Sequence, residues 1–251
     1  MVNAQSVDSR SHSRFLDQRQ APAGFADRIY AAFRTGFKRR LWPHPRLYAP
    51  FGFWQQRRWL FRKDYDILVD GFSRSANTFA SVALGLCAPE ARVLCYRHMP
   101  VYIIQALRDG KPVCLLIREP RAAIASWIIY SGWDFTTAIE DYISYYEPLV
   151  KYREACVIAE FQQVTQRFPE VVMTLNRRYS LDYQIPSFDE AFKERVYEGV
   201  GKFGWASDPM TISLPSAERE RLLVEVHRLL DGKRFAARLA HAQALYALFT
   251  R

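Results

Sequence analysis

The sequence predicts an α/β protein in which helices cover both faces of a parallel β-sheet and a mainly helical part follows at the C-terminus. From Tyr65 onward, short segments that are apolar almost throughout alternate with longer amphipathic ones. Strands of uniform apolar character are typical of sheets that are buried on both faces. Parallel neighbours need helical crossovers between them, so the alternation predicts the order strand, helix, strand.

Four segments have the composition of buried strands: 66–71 (DILVDG), 92–96 (RVLCY), 112–118 (PVCLLIR) and 156–161 (CVIAEF). Helical periodicity predicts helices between and after them at 77–87, 100–109, 120–131 and 135–153, and a mainly helical chain from Ser187 onward. A chain of 251 residues, 49% of them hydrophobic, is long enough for one large core.

The N-terminal quarter of the chain is set apart by its charge. Residues 1–65 carry 13 Lys and Arg against 4 Asp and Glu, and this difference equals the net charge of +9 of the whole chain. We therefore expect a basic N-terminal extension, residues 1–64, followed by an α/β domain, residues 65–251. A basic segment attracts phosphates, nucleic acid or an anionic membrane surface, and its sign does not choose among them.

Residues 24–41 of this extension have the pattern of a basic amphipathic helix. Apolar side chains recur every fourth residue, with Arg and Lys around the rest of the axis: Phe25, Ile29, Phe33, Phe37 and Leu41. Such a helix packs on its own domain, lies peripherally on a membrane or binds a partner protein, and these three interpretations stay open.

The remaining composition predicts a cytoplasmic protein, membrane-peripheral if that helix binds lipid. The chain has no early apolar run of the kind found in signal peptides. Its four cysteines lie inside apolar segments without zinc or redox spacing: Cys87, Cys95, Cys114 and Cys156. Neither a metal site nor a nucleic-acid motif is predicted.

The loop after the first predicted strand, in GFSRSANTF, has the parts of an anion site. Gly71 provides the turn, Arg74 is a cation, and the hydroxyl donors are Ser73, Ser75 and Thr78. The helix that follows directs unpaired N–H groups and the positive end of its dipole into the loop. The nucleotide-binding pattern GxxxxGK[ST] is absent, because Ala76 and Asn77 stand where Gly and Lys would be.

A second element follows the third predicted strand, in CLLIREPRAAIASWII, where Arg118 ends the strand and Ser126 lies eight residues further on. Together with GFSRSANTF it resembles the sulfotransferases that use 3′-phosphoadenosine 5′-phosphosulfate (PAPS). In that family the first loop holds the 5′-phosphosulfate, and an arginine with a serine at this spacing holds the 3′-phosphate. The resemblance covers Tyr65 to Leu230 and implies an α/β domain of the P-loop nucleotide-binding type.

The resemblance also implies roles for single residues. Arg118 and Ser126 take the 3′-phosphate places, and Arg74 is expected to offset charge on the leaving oxygen. The loop positions that match the donor-binding motif are Arg74, Ser75, Ala76, Asn77, Thr78 and Phe79. His98, in RVLCYRHMP, falls on the family's catalytic base. Near the C-terminus, Lys202 or Arg195 is expected to supply a further basic group.

The function that the resemblance implies is transfer of a sulfuryl group from PAPS to a hydroxyl or amine, without a metal, leaving adenosine 3′,5′-bisphosphate. The acceptor is expected to be a small molecule, a lipid or a carbohydrate rather than nucleic acid. One position departs from the family, because Tyr96 stands where a lysine precedes the base. The alternatives are a kinase-like enzyme with a phosphate loop, and a non-catalytic, basic, membrane-associated protein of the same fold.

Overall fold

The computed structural model of the chain describes residues 62–202 and 217–251, together with 36, 40, 41, 44–48 and 60. At the centre of the described part lies a sheet of four parallel strands in the order β2-β1-β3-β4. The strands are β1 (Ile67–Gly71), β2 (Val93–Leu94), β3 (Val113–Ile117) and β4 (Val157–Glu160). Each strand lies within one of the four predicted segments, which confirms the parallel α/β sheet.

Ten α-helices lie in the described part of the chain: α1 (Pro45–Tyr48), α2 (Asn77–Cys87), α3 (Pro100–Arg108), α4 (Pro120–Ser131), α5 (Phe135–Tyr146), α6 (Phe161–Gln166), α7 (Phe168–Tyr179), α8 (Glu190–Lys202), α9 (Ala217–Leu230) and α10 (Ala236–Phe249). The predicted helices at 77–87 and 120–131 have the expected bounds. The helical C-terminal part is confirmed by α8, α9 and α10. Helices α6 and α7 were not predicted.

Two predicted elements are shorter than expected. The helix predicted over 135–153 is α-helical only to Tyr146 and continues as a 3₁₀ helix, Glu147–Ala155, because Pro148 has no N–H for the next α-helical bond. The strand predicted over 92–96 is only two residues long. Beyond it the backbone turns left-handed at Tyr96 (φ 59°) and His98 (φ 49°), which no extended strand accommodates.

Helices cover both faces of the sheet, as predicted. Leu68 of β1 belongs to a first core with the apolar sides of α3, α4, α5, α9 and α10. Its neighbours Ile67 and Val69 belong to a second core with α2, α7 and α8. Alternate strand residues therefore serve opposite cores, so the sheet is buried on both sides.

This arrangement creates a crevice at the carboxyl ends of β1 and β3. Strand β1 lies between β2 and β3, and the chain leaves β1 through α2 in the second core and β3 through α4 in the first. The two loops therefore diverge to opposite faces of the sheet. Such a point of divergence is where ligands bind in open α/β sheets.

Three of the described apolar residues of the N-terminal extension pack on the domain. Tyr48 and Leu60 are buried in the first core, Leu41 packs against it, and Tyr48 donates a hydrogen bond to the sulfur of Met99 at 3.2 Å. Most of the amphipathic helix predicted over 24–41 lies outside the described residues. Among the helices that are described, none is both long and apolar enough to cross a membrane.

Gly71 ends β1 at a place where the two central strands leave no room for a side chain. A Cβ on Gly71 would lie 2.8 Å from the Cβ of Leu116 and would also overlap the carbonyl oxygen of that residue. The glycine is therefore needed for close strand approach, whereas the sequence suggested that it served the turn. It brings the loop after β1 next to the end of β3.

We expect Gly71→Ala to lower the free energy of unfolding by about 1–3 kcal/mol, because the added methyl group overpacks the sheet. Gly85→Ala is the matched control, since a Cβ there meets nothing within 4 Å and replaces a helical glycine. That control should raise stability by about 0.5 kcal/mol. Urea titrations of both variants measure the effect, and a stability change of the same sign in both would contradict the packing argument.

Candidate functional site

Three arginine side chains come together in the crevice, and two of them bind the same serine. The hydroxyl oxygen of Ser126 accepts hydrogen bonds from Arg74 Nε at 3.1 Å and from Arg219 Nη2 at 2.6 Å. Arg118 Nη1 donates to the backbone carbonyl oxygen of Arg74 at 3.0 Å. We call Arg74, Arg118, Arg219 and Ser126 the arginine cluster.

Each member of the cluster comes from a different element. Arg74 lies in the loop after β1, Arg118 directly after β3, Ser126 in the second turn of α4 and Arg219 in the first turn of α9. The loops at the carboxyl ends of β1 and β3 therefore contribute two of the arginines. The position of the third arginine, Arg219, depends on how α9 packs, because this residue is far from the others in the sequence.

Helix α9 is held on α4 by apolar and polar contacts. Its buried stripe comprises Leu222, Val226 and Leu230, which join the first core. An ion pair at 2.6 Å between Arg121 of α4 and Asp231 just after α9 fixes the other end of the helix. The docked helix carries Arg219, itself only 7% exposed, into the site.

The cluster concentrates positive charge in a poorly solvated place. Burial, and then repulsion by Arg219 and Arg118, lower the pKa of Arg74 to about 9. Burial and repulsion by Arg219 also lower the pKa of Arg118 to about 10, although Glu119 opposes this shift. A bound anion would offset both the repulsion and the lost hydration, so the electrostatics favour an anion site.

Aromatic rings orient two of these guanidinium groups. Arg118 lies over the ring of Phe161, 4.0 Å from its centroid, and Arg74 lies 5.1 Å from the centroid of Tyr130. Stacking occupies the flat face of a guanidinium and leaves its N–H edges available for hydrogen bonds. The rings thus prepare the arginines for planar, multiple contacts with an oxyanion.

The loop itself has an unusual backbone. Arg74 (φ 71°) and Ala76 (φ 67°) both adopt left-handed conformations without being glycines. The amide side chain of Asn77 holds this shape by donating to the carbonyl oxygen of Phe72 at 2.9 Å. Loops in which left-handed residues alternate with others form concave nests of N–H groups that bind anions.

The structure brings some of the predicted donor-binding residues together and separates others. Arg74, Arg118 and Ser126 meet in the cluster, whereas the side chains of Ser75 and Asn77 are buried beneath the loop. Thr78 is half-buried at the start of α2. Phe79 points into the second core, where its ring packs against Phe168 and Tyr197.

The two predicted basic candidates near the C-terminus lie on α8. Lys202 is exposed at the last residue of this helix, and Arg195 is exposed two turns earlier. The segment after Lys202 that resembles the family's nucleotide-closing region, including Gly204 and Trp205, lies outside the described residues.

Arg219 was not identified from the sequence. It occurs in a charged run, AERERL, that is typical of an exposed helical turn. One signal was present, because Arg219 lies three residues before Leu222, and Leu222, Val226 and Leu230 form an apolar stripe. An arginine in line with a buried stripe is a candidate for a functional buried charge.

His98 lies at the same edge of the sheet, beside the end of β1. Its Nδ1 is 3.0 Å from the carbonyl oxygen of Gly71, and its side chain is 34% exposed. A carbonyl oxygen only accepts hydrogen bonds, so Nδ1 carries the proton of the neutral ring. The other nitrogen, Nε2, is then able to accept a proton from a bound molecule.

Asp70, beneath His98, was not singled out as a functional residue from the sequence, although it is the charge within the buried strand. Its side chain is fully buried. Oδ2 accepts hydrogen bonds from the backbone N–H of His98 at 2.9 Å and from the hydroxyl of Tyr145 at 3.5 Å. Burial raises the pKa of Asp70 to about 6, against the opposing charge of His98.

Comparisons with protein-family models, with curated proteins and with solved structures found no match to this chain. Among the described residues, no group of three or more His, Cys, Asp or Glu side chains is placed to hold a metal ion.

We expect Asp70 to make the protein less stable as the pH rises from about 4 to about 6. A folded-state pKa of about 6, above the ordinary 3.8, means that the native state keeps a proton that the unfolded state has already lost. The corresponding change in unfolding free energy is about 3 kcal/mol over this range.

Urea unfolding of the wild type and of Asp70→Asn across this pH range measures the contribution, which the variant should lack. Asp66→Asn is the control, because Asp66 is exposed and paired with Arg92 at the other end of β1. Identical pH slopes for the wild type and Asp70→Asn would contradict the assignment.

Proposed function

We propose that this protein is a sulfotransferase that transfers the sulfuryl group of PAPS to a hydroxyl or amine of an acceptor. The observation that carries the proposal is the arginine cluster, in which Arg74 and Arg219 bind Ser126 and Arg118 binds the backbone of Arg74. Guanidinium groups bind phosphate oxygens with paired, charge-assisted hydrogen bonds. The spacing of Arg118 and Ser126 is the one that resembles the 3′-phosphate element of the family.

The crevice offers two neighbouring places for anions. One is the arginine cluster, and the other is the loop of left-handed residues at the N-terminus of α2. Arg118 joins them directly, since it donates to the carbonyl oxygen of Arg74 within that loop. A nucleotide with phosphates on both the 3′ and the 5′ oxygen of its ribose would use both places, whereas a nucleoside 5′-monophosphate would use only one. In the proposed complex the cluster binds the 3′-phosphate, and the loop amides bind the 5′-phosphosulfate in the manner of a P-loop.

The position of the Arg74 side chain refines the role that the resemblance implied. Its Nε donates to Ser126, so the guanidinium lies with the 3′-phosphate residues. We therefore assign Arg74 to binding of the 3′-phosphate. Charge that develops on the leaving oxygen is offset by the loop amides and the positive end of the dipole of α2.

His98 is the proposed general base. Its Nε2 removes the acceptor's proton while the acceptor oxygen or nitrogen forms a bond to sulfur. The bond between sulfur and the bridging phosphate oxygen breaks, and its electron pair leaves with adenosine 3′,5′-bisphosphate. Nucleophile, sulfur and leaving oxygen lie in line, so catalysis consists of positioning and of charge neutralisation.

The alternative of a phosphate-loop kinase finds less support. Such an enzyme needs a lysine in the loop and an acidic magnesium ligand at a strand end. The carboxylate at the end of β1, Asp70, is instead buried and bonded to the backbone of His98.

We expect adenosine 3′,5′-bisphosphate to raise the melting temperature far more than adenosine 5′-monophosphate or ATP with magnesium. Arg118→Ala and Arg219→Ala should each weaken binding of the bisphosphate at least ~10-fold and leave the monophosphate nearly unchanged, because each removes a charged hydrogen bond to the 3′-phosphate. Calorimetric titration measures these affinities.

Arg221→Ala is the matched control for Arg219→Ala, since it removes an exposed arginine from the same helix. It should bind both nucleotides as the wild type does. Equal losses for the bisphosphate and the monophosphate in Arg118→Ala and Arg219→Ala would exclude the 3′-phosphate assignment.

For catalysis, we expect His98→Ala to reduce sulfuryl transfer at least ~100-fold with little change in bisphosphate affinity, as loss of a general base usually does. The assay is transfer of labelled sulfate from PAPS into a fractionated extract, followed by identification of the product. His241→Ala, at a half-exposed histidine paired with Glu147 on the helical side, is the control and should retain activity. Turnover near the wild-type rate in His98→Ala would assign the base elsewhere.

A further inference from the structure

The buried carboxylate of Asp70 lowers the stability of the fold, and the proposed donor site does not explain why it is there. It lies at the end of β1, fully buried, with the ring of Tyr145 beside it. One of its oxygens, Oδ1, makes no hydrogen bond to any described residue. Burial of a charge with an unsatisfied oxygen costs several kcal/mol, so such a group usually persists because it has a function.

Both oxygens of this carboxylate face His98. Oδ2 accepts the backbone N–H of His98 at 2.9 Å, and Oδ1 lies 3.7 Å from the ring nitrogen Nδ1. The carbonyl oxygen of Gly71 lies 3.0 Å from the same nitrogen. The histidine is thus held at its backbone and at its ring, in a left-handed conformation (φ 49°) that needs support of this kind.

We propose that Asp70 is a positioning residue that acts through His98. Its carboxylate acts with the carbonyl oxygen of Gly71 to keep the proton of the neutral ring on Nδ1, which leaves Nε2 unprotonated and able to take the acceptor's proton. When that proton arrives, the ring carries a positive charge on the side of a buried negative one. The reaction that uses this base rests on the proposed function, whereas the coupling between Asp70 and His98 does not.

The ionisation of Asp70 is consistent with this role. With a pKa raised by burial to about 6, the carboxylate carries its charge at neutral pH. The other charged or titratable groups around it are the more distant cation Arg97, the thiol of Cys95, and the hydroxyls of Tyr102, Tyr145 and Tyr146. Among these charged groups, His98 has the largest electrostatic effect on the pKa of Asp70.

Asp70→Asn separates positioning from simple packing, because the amide has nearly the same shape. The amide oxygen must stay on the backbone N–H of His98, so the amide N–H₂ takes the place of Oδ1 and faces Nδ1. The carbonyl oxygen of Gly71 still accepts from Nδ1–H, but the amide N–H₂ opposes that proton and the negative charge beside the ring is lost. The Nδ1–H form of the ring is then held less firmly, and the positive charge that the ring gains with the acceptor's proton is no longer offset, so the base is weakened as by the Asn substitution in serine proteases.

The kinetic test compares Asp70→Asn with the wild type and with His98→Ala. We expect a fall in kcat of ~100-fold or more, with acceptor KM and bisphosphate affinity changed less than ~2-fold. In a His98→Ala background the same substitution should have no further effect on kcat, because Asp70 acts only through the ring. Asp66→Asn, which makes the same change at the exposed end of β1, should leave kcat unchanged.

The second readout does not depend on activity. Nitrogen NMR of labelled histidine at pH 8 should show the proton of His98 on Nδ1 in the wild type, and a larger fraction of it on Nε2 in Asp70→Asn. A wild-type protein with the proton on Nε2 would overturn the proposal without any variant. A normal kcat in Asp70→Asn, or an equal loss with and without His98, would also overturn it.

The kinetic test and the NMR test separate failure of the Asp70 proposal from failure of the proposed function. If the wild type transfers no sulfate and does not prefer the bisphosphate, the proposed function fails, while the NMR result still decides whether Asp70 sets the tautomer. A purely structural role would appear as a lower melting temperature of Asp70→Asn at neutral pH. Replacement of an unsatisfied buried charge should instead leave stability equal or higher.

Discussion

The close parallel pairing of β1 and β3 is the constraint on which the candidate site depends. Gly71 allows the two strands to approach, because Leu116 occupies the space that a side chain at Gly71 would need. Their carboxyl ends therefore meet at one edge, while the crossovers that follow leave on opposite faces. This geometry is the reason that Arg74 and Arg118, separated by 44 residues, share one crevice.

Buried charge of both signs accumulates at this edge. The arginine cluster holds three cations close together, and Asp70 holds a carboxylate beneath the neighbouring histidine. Each group reduces the stability of the fold, because hydration is lost and, among the arginines, like charges repel. Such groups collect where a ligand or a reaction compensates for the cost, so the same edge is the best candidate for both binding and catalysis.

Much of the fold could be predicted because it depends on local patterns. Apolar runs located all four strands, and Pro120 with Glu119 marks the start of α4, where the glutamate side chain accepts two backbone N–H groups. The elements that were missed obey other rules. Pro148 ended an α-helix that periodicity had extended, and left-handed residues at Tyr96 and His98 ended β2 early.

For the site, the sequence by itself determined which functional residues lie near the ends of strands. Arg74, Arg118 and His98 lie within four residues of the ends of β1, β3 and β2, so a parallel sheet brings them to one edge whatever the side-chain details. Tertiary structure alone decided which groups touch. Arg219 reaches Ser126 across 93 residues because α9 packs on α4, and Asp70 faces His98 because the chain after β2 turns back over β1. Local sequence records propensity and periodicity, whereas these contacts arise from the packing of distant elements around shared cores.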